Sequence, residues 1–189
     1  MQHPPLRRSS VRIITGLSIL LLSAAAVAGD IILSIPGLTG GGAGEPGYIG
    51  DIDLLSYNQT FARTAAGNGT SCGTIAITKY LDGTSTKFLY AAVTGLTAPT
   101  ATIYFPGTSL NGTSAAPYTI TLTNVTVTSI SQGDSVTSAV ASNSNIGLVE
   151  TILLTAQKFQ FTYQLETAIG QNLGPPATIG FDCTQQRTF

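Results

Sequence analysis

Between residues 74 and 80 the apolar Ile75 and Ile77 alternate with Ala76 and Thr78, which predicts a strand with one buried face. The period then lengthens to about 3.6. Asp82-Gly83 is a turn signal, Thr84 or Ser85 can cap a helix by accepting from its free amides, and Gly95 offers a left-handed stop. Phe88 and Ala92, with Leu89 and Val93, repeat at i and i+4 as one apolar stripe. A helix of about ten residues is marginal alone in water, so this one is expected to lie against a sheet.

The rest of the pattern is strand and loop. Strands are predicted at 30–35, at 48–57 (Ile52 and Leu54 on one face, Asp51 and Asp53 on the other) and at 101–105, stopped by Pro106-Gly107. The longest runs from 118 to 131. There Tyr118, Ile120 and Leu122 fall on even positions but Val125 and Val127 on odd ones, so the buried face switches near Asn124. A bulge or bend at that point fits a strand turning the corner of a barrel. Segments 148–156 and 159–165 predict a hairpin, with Phe159, Phe161, Tyr163 and Leu165 on one side of its second strand. Half of the residues in 36–47 are glycine, and that stretch predicts a flexible loop, as do 64–73, 110–116 and 132–147. Seven or so strands, one helix and no β/α alternation predict an all-β fold, a barrel or a sandwich. An immunoglobulin-like sandwich shares the strand count, but it does not explain the helix, and the chain has no Trp to pack between sheets.

Composition adds a compartment. Arg7, Arg8 and Arg12 precede an apolar run at 13–22 and an Ala26-Val27-Ala28 site, the layout of an export signal, with cleavage expected between Ala28 and Gly29. The uncharged run 13–28 is shorter than a membrane-spanning helix needs, so no stable anchor is expected after cleavage. Arg7-Arg8 also permits a twin-arginine route. Removing residues 1–28 leaves five basic and nine acidic residues, a net charge of −4, which argues against nucleic acid as a partner. The domain organisation expected is a signal at 1–28, a barrel at 29–165 and a C-terminal extension at 166–189. Only 9% of residues are charged, so the surface is neutral and rich in hydroxyls.

Motifs that resemble catalytic signatures lack the parts their chemistry needs. Gly69-Thr70-Ser71-Cys72-Gly73 matches G-x-S-x-G, but a strand follows it, and His3, the one histidine, leaves with the signal. Gly42-Ala43-Gly44-Glu45-Pro46-Gly47 matches G-x-G-x-x-G, but Pro46 and the alternation after it deny the phosphate-binding helix. Asp51 and Asp53, with Asp30, could bind calcium or serve glycoside hydrolysis, yet acids at i and i+2 on a solvated strand are usually just solvated. The sequons at Asn58, Asn68, Asn111 and Asn124 matter only in a eukaryotic secretory pathway, and Tyr57, Tyr80, Tyr90 and Tyr104 read as packing residues. Neither an enzyme nor a cofactor or metal site is expected. Cys72 and Cys183, the only cysteines, invite a disulfide in an exported chain, with two free or buried thiols as the alternative.

Thr78-Lys79-Tyr80-Leu81-Asp82 followed by a Leu- and Ala-containing helix ending in Gly95 resembles the haemolysin-coregulated protein (Hcp) family, tube subunits of type VI secretion systems. Three further blocks resemble that family in order: Ile32-Leu33-Ser34-Ile35-Pro36-Gly37-Leu38, Gly50-Asp51-Ile52-Asp53-Leu54-Leu55-Ser56-Tyr57, and the late strands at 118–131 and 150–163. The resemblance covers residues 31–165. It implies a β-barrel of two antiparallel sheets flanked by a single short helix, and a protein that works by closing into homo-hexameric rings. The rings stack, and their lumen can carry effector cargo or meet a spike protein. It also implies that loop 58–73, with Asn58, Arg63 and Asn68, contacts a neighbouring ring. A cleavable signal and the cysteine-bearing extension depart from the family pattern. They favour as the alternative an exported, secreted or periplasmic binding module that keeps the fold outside a secretion machine.

Overall fold

The computed structural model describes residues 31–40, 47–63, 69–107, 115–134, 148–167 and 171–189. The strands are β1 (Ile31–Ser34), β2 (Ile52–Leu54), β3 (Ser56–Asn58), β4 (Phe61–Arg63), β5 (Thr70–Cys72) and β6 (Ile75–Tyr80). After the helix α1 (Ser85–Thr94) come β7 (Thr97–Gly107), β8 (Ala115–Asp134), β9 (Leu148–Tyr163), β10 (Ala177–Asp182) and β11 (Arg187–Thr188). The fold is all-β with one helix, as the alternation predicts.

The sheet closes on itself. β1 pairs with β2 and β7, β7 with β8, β8 with β9, β9 with β6, and β6 with β3, all antiparallel. Only Leu55 separates β2 from β3, and its amide donates to the Thr78 carbonyl of β6 at 2.7 Å, completing the circuit. Closure removes the edges that an open sheet must otherwise protect. Leu33, Ile52, Leu54, Ile75, Ile77, Ile103, Ile120, Leu122, Ile152 and Leu154 belong to one buried core.

The face switch lies where the pattern places it. Asn124 has φ +53°, a left-handed conformation that asparagine tolerates better than most residues, so the buried side passes from Ile120 and Leu122 to Val125 and Val127. A bulge follows at Thr128, between the pairs Val127↔Leu154 and Ser129↔Leu153. Opposite Asn124, β9 changes phase as well: Glu150, Ile152 and Leu154 are buried before Gln157, and Phe159 after it. The Asn124 side-chain amide donates to Gln157 Oε1. Here β9 also changes partner on its other side, from β6, which ends its pairing at Leu154, to β10, which begins at Lys158.

Several expectations give way to longer or different elements. Segments 148–156 and 159–165 are not two arms of a hairpin but belong to the single strand β9 up to Tyr163, because the break at Ala156-Gln157-Lys158 is a change of face within one strand. The strand expected at 101–105 extends through Pro106, which sits at a register shift where no amide is required. The strand expected at 48–57 begins only at Ile52 and divides at Leu55. The helix buries Ser85, Phe88 and Ala91, while Leu89 and Val93 face outward. Thr84 is the N-cap residue but makes no side-chain capping bond, and Gly95 closes the helix with φ +67° and its amide on the Ala91 carbonyl.

Ser85 faces inward because the helix start is pinned by ions. Lys79 is 1% exposed and Glu150 fully buried, and their side chains meet at 2.9 Å. Lys79 Nζ also reaches Asp82 Oδ1 at 2.9 Å and donates to the Tyr80 carbonyl at 2.7 Å. Ser85 Oγ donates to Glu150 Oε1 at 2.8 Å, and Gln132 Nε2 donates to Glu150 Oε2 at 3.2 Å. Removing one partner of such a pair strands a buried charge, whereas removing both does not. Glu150→Ala is therefore expected to lower the unfolding free energy by about 3–5 kcal/mol in urea titration, and Lys79→Met combined with Glu150→Leu to recover much of it. Equal losses in the single and double variants would contradict this assignment.

Candidate interaction surfaces

Buried apolar side chains occupy the barrel interior among the described residues. The first outward feature is an arm. β4 and β5 form a separate two-stranded sheet, pairing Phe61↔Cys72, Ala62↔Ser71 and Arg63↔Thr70, in a region where the sequence predicts only loop. Its strands are too short to show an alternating pattern. Phe61 sets its ring edge-on against Phe159 at 5.0 Å and Phe161 at 5.6 Å between centroids. The Gly73 amide donates to the Thr60 carbonyl at 2.9 Å, an approach so close that any side chain at Gly73 would strike that carbonyl.

The arm meets the C-terminal hairpin formed by β10 and β11. Cys72 and Cys183 are joined by a disulfide, with Cα atoms 6.0 Å apart and a sequence separation of 111. Chain-entropy arguments assign a closure of that length at most about 4–5 kcal/mol. Gln186 adds a bridge: its Nε2 donates to the Thr70 carbonyl at 3.1 Å, and its Oε1 accepts from the Thr70 amide at 2.5 Å. The turn that holds Cys183 and Gln186 is set by Asp182, whose Oδ1 accepts from the amides of Thr184 and Gln185, both at 2.9 Å. Lys158 reaches Asp182 Oδ2 at 3.2 Å.

The second feature is the outer helix face. Leu89, Tyr90 and Val93 stand in solvent, with Val93 74% exposed, and Leu96 continues the row beyond Gly95. Tyr90 and Tyr80 are therefore exposed rather than packed, while Tyr57 lies edge-on to Phe105 and Tyr104 against Tyr48. Burial pushes the Tyr57 phenol up, and the neighbouring Tyr118 adds to the effect.

The third is a shallow apolar depression lined by Tyr118, Phe161, Tyr163, Ala177, Thr178 and Ile179. It borders β10, whose Gly180 exchanges backbone bonds with Phe189. Pro175 and Pro176 stand before that strand and offer no amides, which blunts it against strand addition.

The remaining sequence candidates are dispersed. Asn58 closes β3 opposite Ala76, and Arg63 lies on the arm opposite Thr70, so the two share the region between β3 and β6. Asn68, Ala28, Gly29, Asp30 and His3 lie outside the described residues. Asp53 is exposed on β2, Asp51 precedes it in a bend, and Ser71 is exposed on β5. Among the described residues no three His, Cys, Asp or Glu side chains converge as metal ligands, and no helix is long and apolar enough to cross a membrane. The buried ion cluster escapes sequence reasoning, since Lys79 and Glu150 lie 71 residues apart in the chain, whereas the Cys72–Cys183 bond is the one that the cysteine count invites.

Residues 32–163 match the family model described as "Type VI secretion system effector, Hcp". No curated protein matches the sequence. Among solved structures, Hcp1 from Salmonella typhimurium is similar with a TM-score of 0.68 at 18% identity, covering 86% of this chain and 99% of its own. A structure titled as a type six secretion system protein has a TM-score of 0.70 at 17% identity, covering 86% of this chain and 100% of its own. Secreted protein Hcp3 from Pseudomonas aeruginosa has a TM-score of 0.59 at 18% identity, covering 80% and 97%. At these identities the likeness establishes the fold.

The Asp182 turn generates an acid-sensitive prediction. The Gln185 amide, assisted by Lys158 and the Thr184 amide and opposed by burial, holds the Asp182 carboxyl below the usual carboxylate range. A depressed carboxylate stabilises the folded state above its unfolded pKa, about 4, and that contribution fades as pH falls through the folded pKa. Asp182→Asn is expected to lower Tm at pH 7 and to flatten the fall in Tm between pH 4 and pH 2. An unchanged pH profile would exclude this role for Asp182.

Proposed function

The chain belongs to the Hcp family of type VI secretion proteins, and from that premise we propose that it acts by assembly: copies close into homo-hexameric rings that can stack. Hcp proteins are structural secretion proteins rather than enzymes, and we read this chain as non-enzymatic. The observation that carries the reading is the exposed apolar surface, Leu89, Tyr90, Val93 and Leu96 on the helix side and Tyr163, Leu165 and Ile179 beside the depression, on a chain with few charges. Contiguous exposed apolar area on a small domain marks an interaction site.

On this reading the region of Asn58, Arg63 and Asn68 supplies the contact between neighbouring rings, and effector cargo or a spike protein are the further partners. Hcp proteins are secreted by type VI systems. This chain is proposed to reach the exterior or periplasm with the help of its own leader, cut between Ala28 and Gly29. The Cys72–Cys183 bond favours a second reading as well, an exported binding module with the Hcp fold outside any secretion machine, because such bonds persist in oxidising compartments.

Light scattering on residues 29–189 separates the two readings. A mass of about six protomers, unchanged on dilution, is expected for the ring-forming protein. A strict monomer at high concentration would discard ring assembly and leave the binding module.

A further inference from the structure

The arm is an excursion from a stem that the barrel already holds. β3 and β6 flank it in sequence and pair directly with each other through Ser56↔Thr78, Tyr57↔Ile77 and Asn58↔Ala76. Moving the arm therefore changes no register in the barrel. The arm's own pairing spans three residues per strand, and a two-stranded hairpin of that size does not stay folded unaided in water.

Among the described contacts, a ring, a side-chain bridge and a covalent bond join the arm to β9 and the C-terminal turn. Phe61 is a single, partly exposed ring against Phe159 and Phe161. The Gln186 bonds to Thr70 lie at the surface, where water competes for both partners. The covalent anchor, Cys183, lies in the same turn as Gln186, and Gln186 Nε2 also donates to the Cys183 carbonyl at 2.7 Å. The Cys183 amide is itself fixed to the barrel by the Gln157 carbonyl at 2.9 Å. One bond thus joins a short hairpin to a turn that is fixed on the barrel.

We infer that the Cys72–Cys183 disulfide is a redox latch that docks the arm when oxidised and releases it when reduced, while the barrel stays closed. Reduction by a dithiol breaks the S–S bond, transfers two electrons and two protons to give the Cys72 and Cys183 thiols, and closes the reductant to its own disulfide. Without the covalent link, Phe61 and the surface bonds of Gln186 are all that this turn and the aromatic pair offer the arm. The Gln157 contact keeps the turn in place on β9, so the two halves of the latch part rather than move together.

The consequence for assembly rests on the ring reading. Since the arm lies within the segment proposed to contact a neighbouring ring, stacking would be confined to oxidising compartments, and a reducing cytoplasm would hold rings apart.

Hydrogen exchange by mass spectrometry on residues 29–189 tests the latch, comparing oxidised protein, protein in excess dithiothreitol, and the Cys72→Ser/Cys183→Ser variant without reductant. In the last two samples the amides of β4 and β5 are expected to exchange about a hundredfold faster or more, near free-peptide rates, while paired amides of β8 and β9 remain slow. Two results would overturn the inference. One is an arm that keeps its oxidised protection, which would mean that it is held without the bond. The other is a loss of protection in arm and barrel by one common factor, which would mean that the bond acts only on global unfolding. The exchange readout needs no partner, so a strict monomer by light scattering in both redox states would overturn the ring reading without touching the latch.

Discussion

A strand of twenty residues in a small barrel cannot keep one face on the core throughout, because the wall must bend before the strand ends. The paired site of Asn124 and Gln157 meets that constraint for β8 and β9 together. Asn124 turns over in the left-handed region, Gln157 changes phase opposite it, and their side chains bond to each other. Everything else is arranged around this corner. Before it in β9 the neighbour is β6, which carries Lys79 and leads to the helix; after it the neighbour is β10, which carries the turn that holds the arm. Val125 and Val127, exposed to the core by the switch, line the same small apolar cavity as Ala91 of the helix.

Much of this was legible in the sequence, because it is written in local periodicity. The shift from even to odd apolar positions around Asn124 marked the corner, the change of period after Tyr80 marked the helix, and Gly95 marked its end. What escaped has a common physical cause: a residue's burial was decided by a partner distant in sequence. Ser85 is buried because Glu150 accepts its hydroxyl bond, so the helix turned Ser85, Phe88 and Ala91 inward and left Leu89 and Val93 outside. Periodicity alone ranks Leu above Ser for burial, so its stripe holds Phe88 and Ala92 but also takes in Leu89 and Val93 and omits Ser85. Gln157-Lys158 reads as a hairpin turn because a change of face within one strand breaks alternation just as a hairpin does.

The outward surfaces were less legible than the fold. The cysteine pair could be proposed from count and compartment, but the arm it holds read as a Gly- and Asn-rich loop. Its pairing depends on Phe61 finding the rings of Phe159 and Phe161 across the chain. The exposed row on the helix became visible only when the inward face was known. For a protein that works through its exterior, local pattern specifies the scaffold well and the contact surfaces poorly, since nothing within the chain itself satisfies those surfaces.

The separation of 111 residues between Cys72 and Cys183 also orders events during synthesis. A ribosome delivers the arm early and its anchoring turn only after β6, the helix, β7, β8 and β9 have all emerged. Until β9 emerges the arm has neither its covalent partner nor the rings of Phe159 and Phe161, while the strands it interrupts, β3 and β6, can pair as soon as β6 is out. The arm is therefore among the last parts of the molecule to find its place, and a nascent chain spends most of its elongation with one thiol waiting for the other.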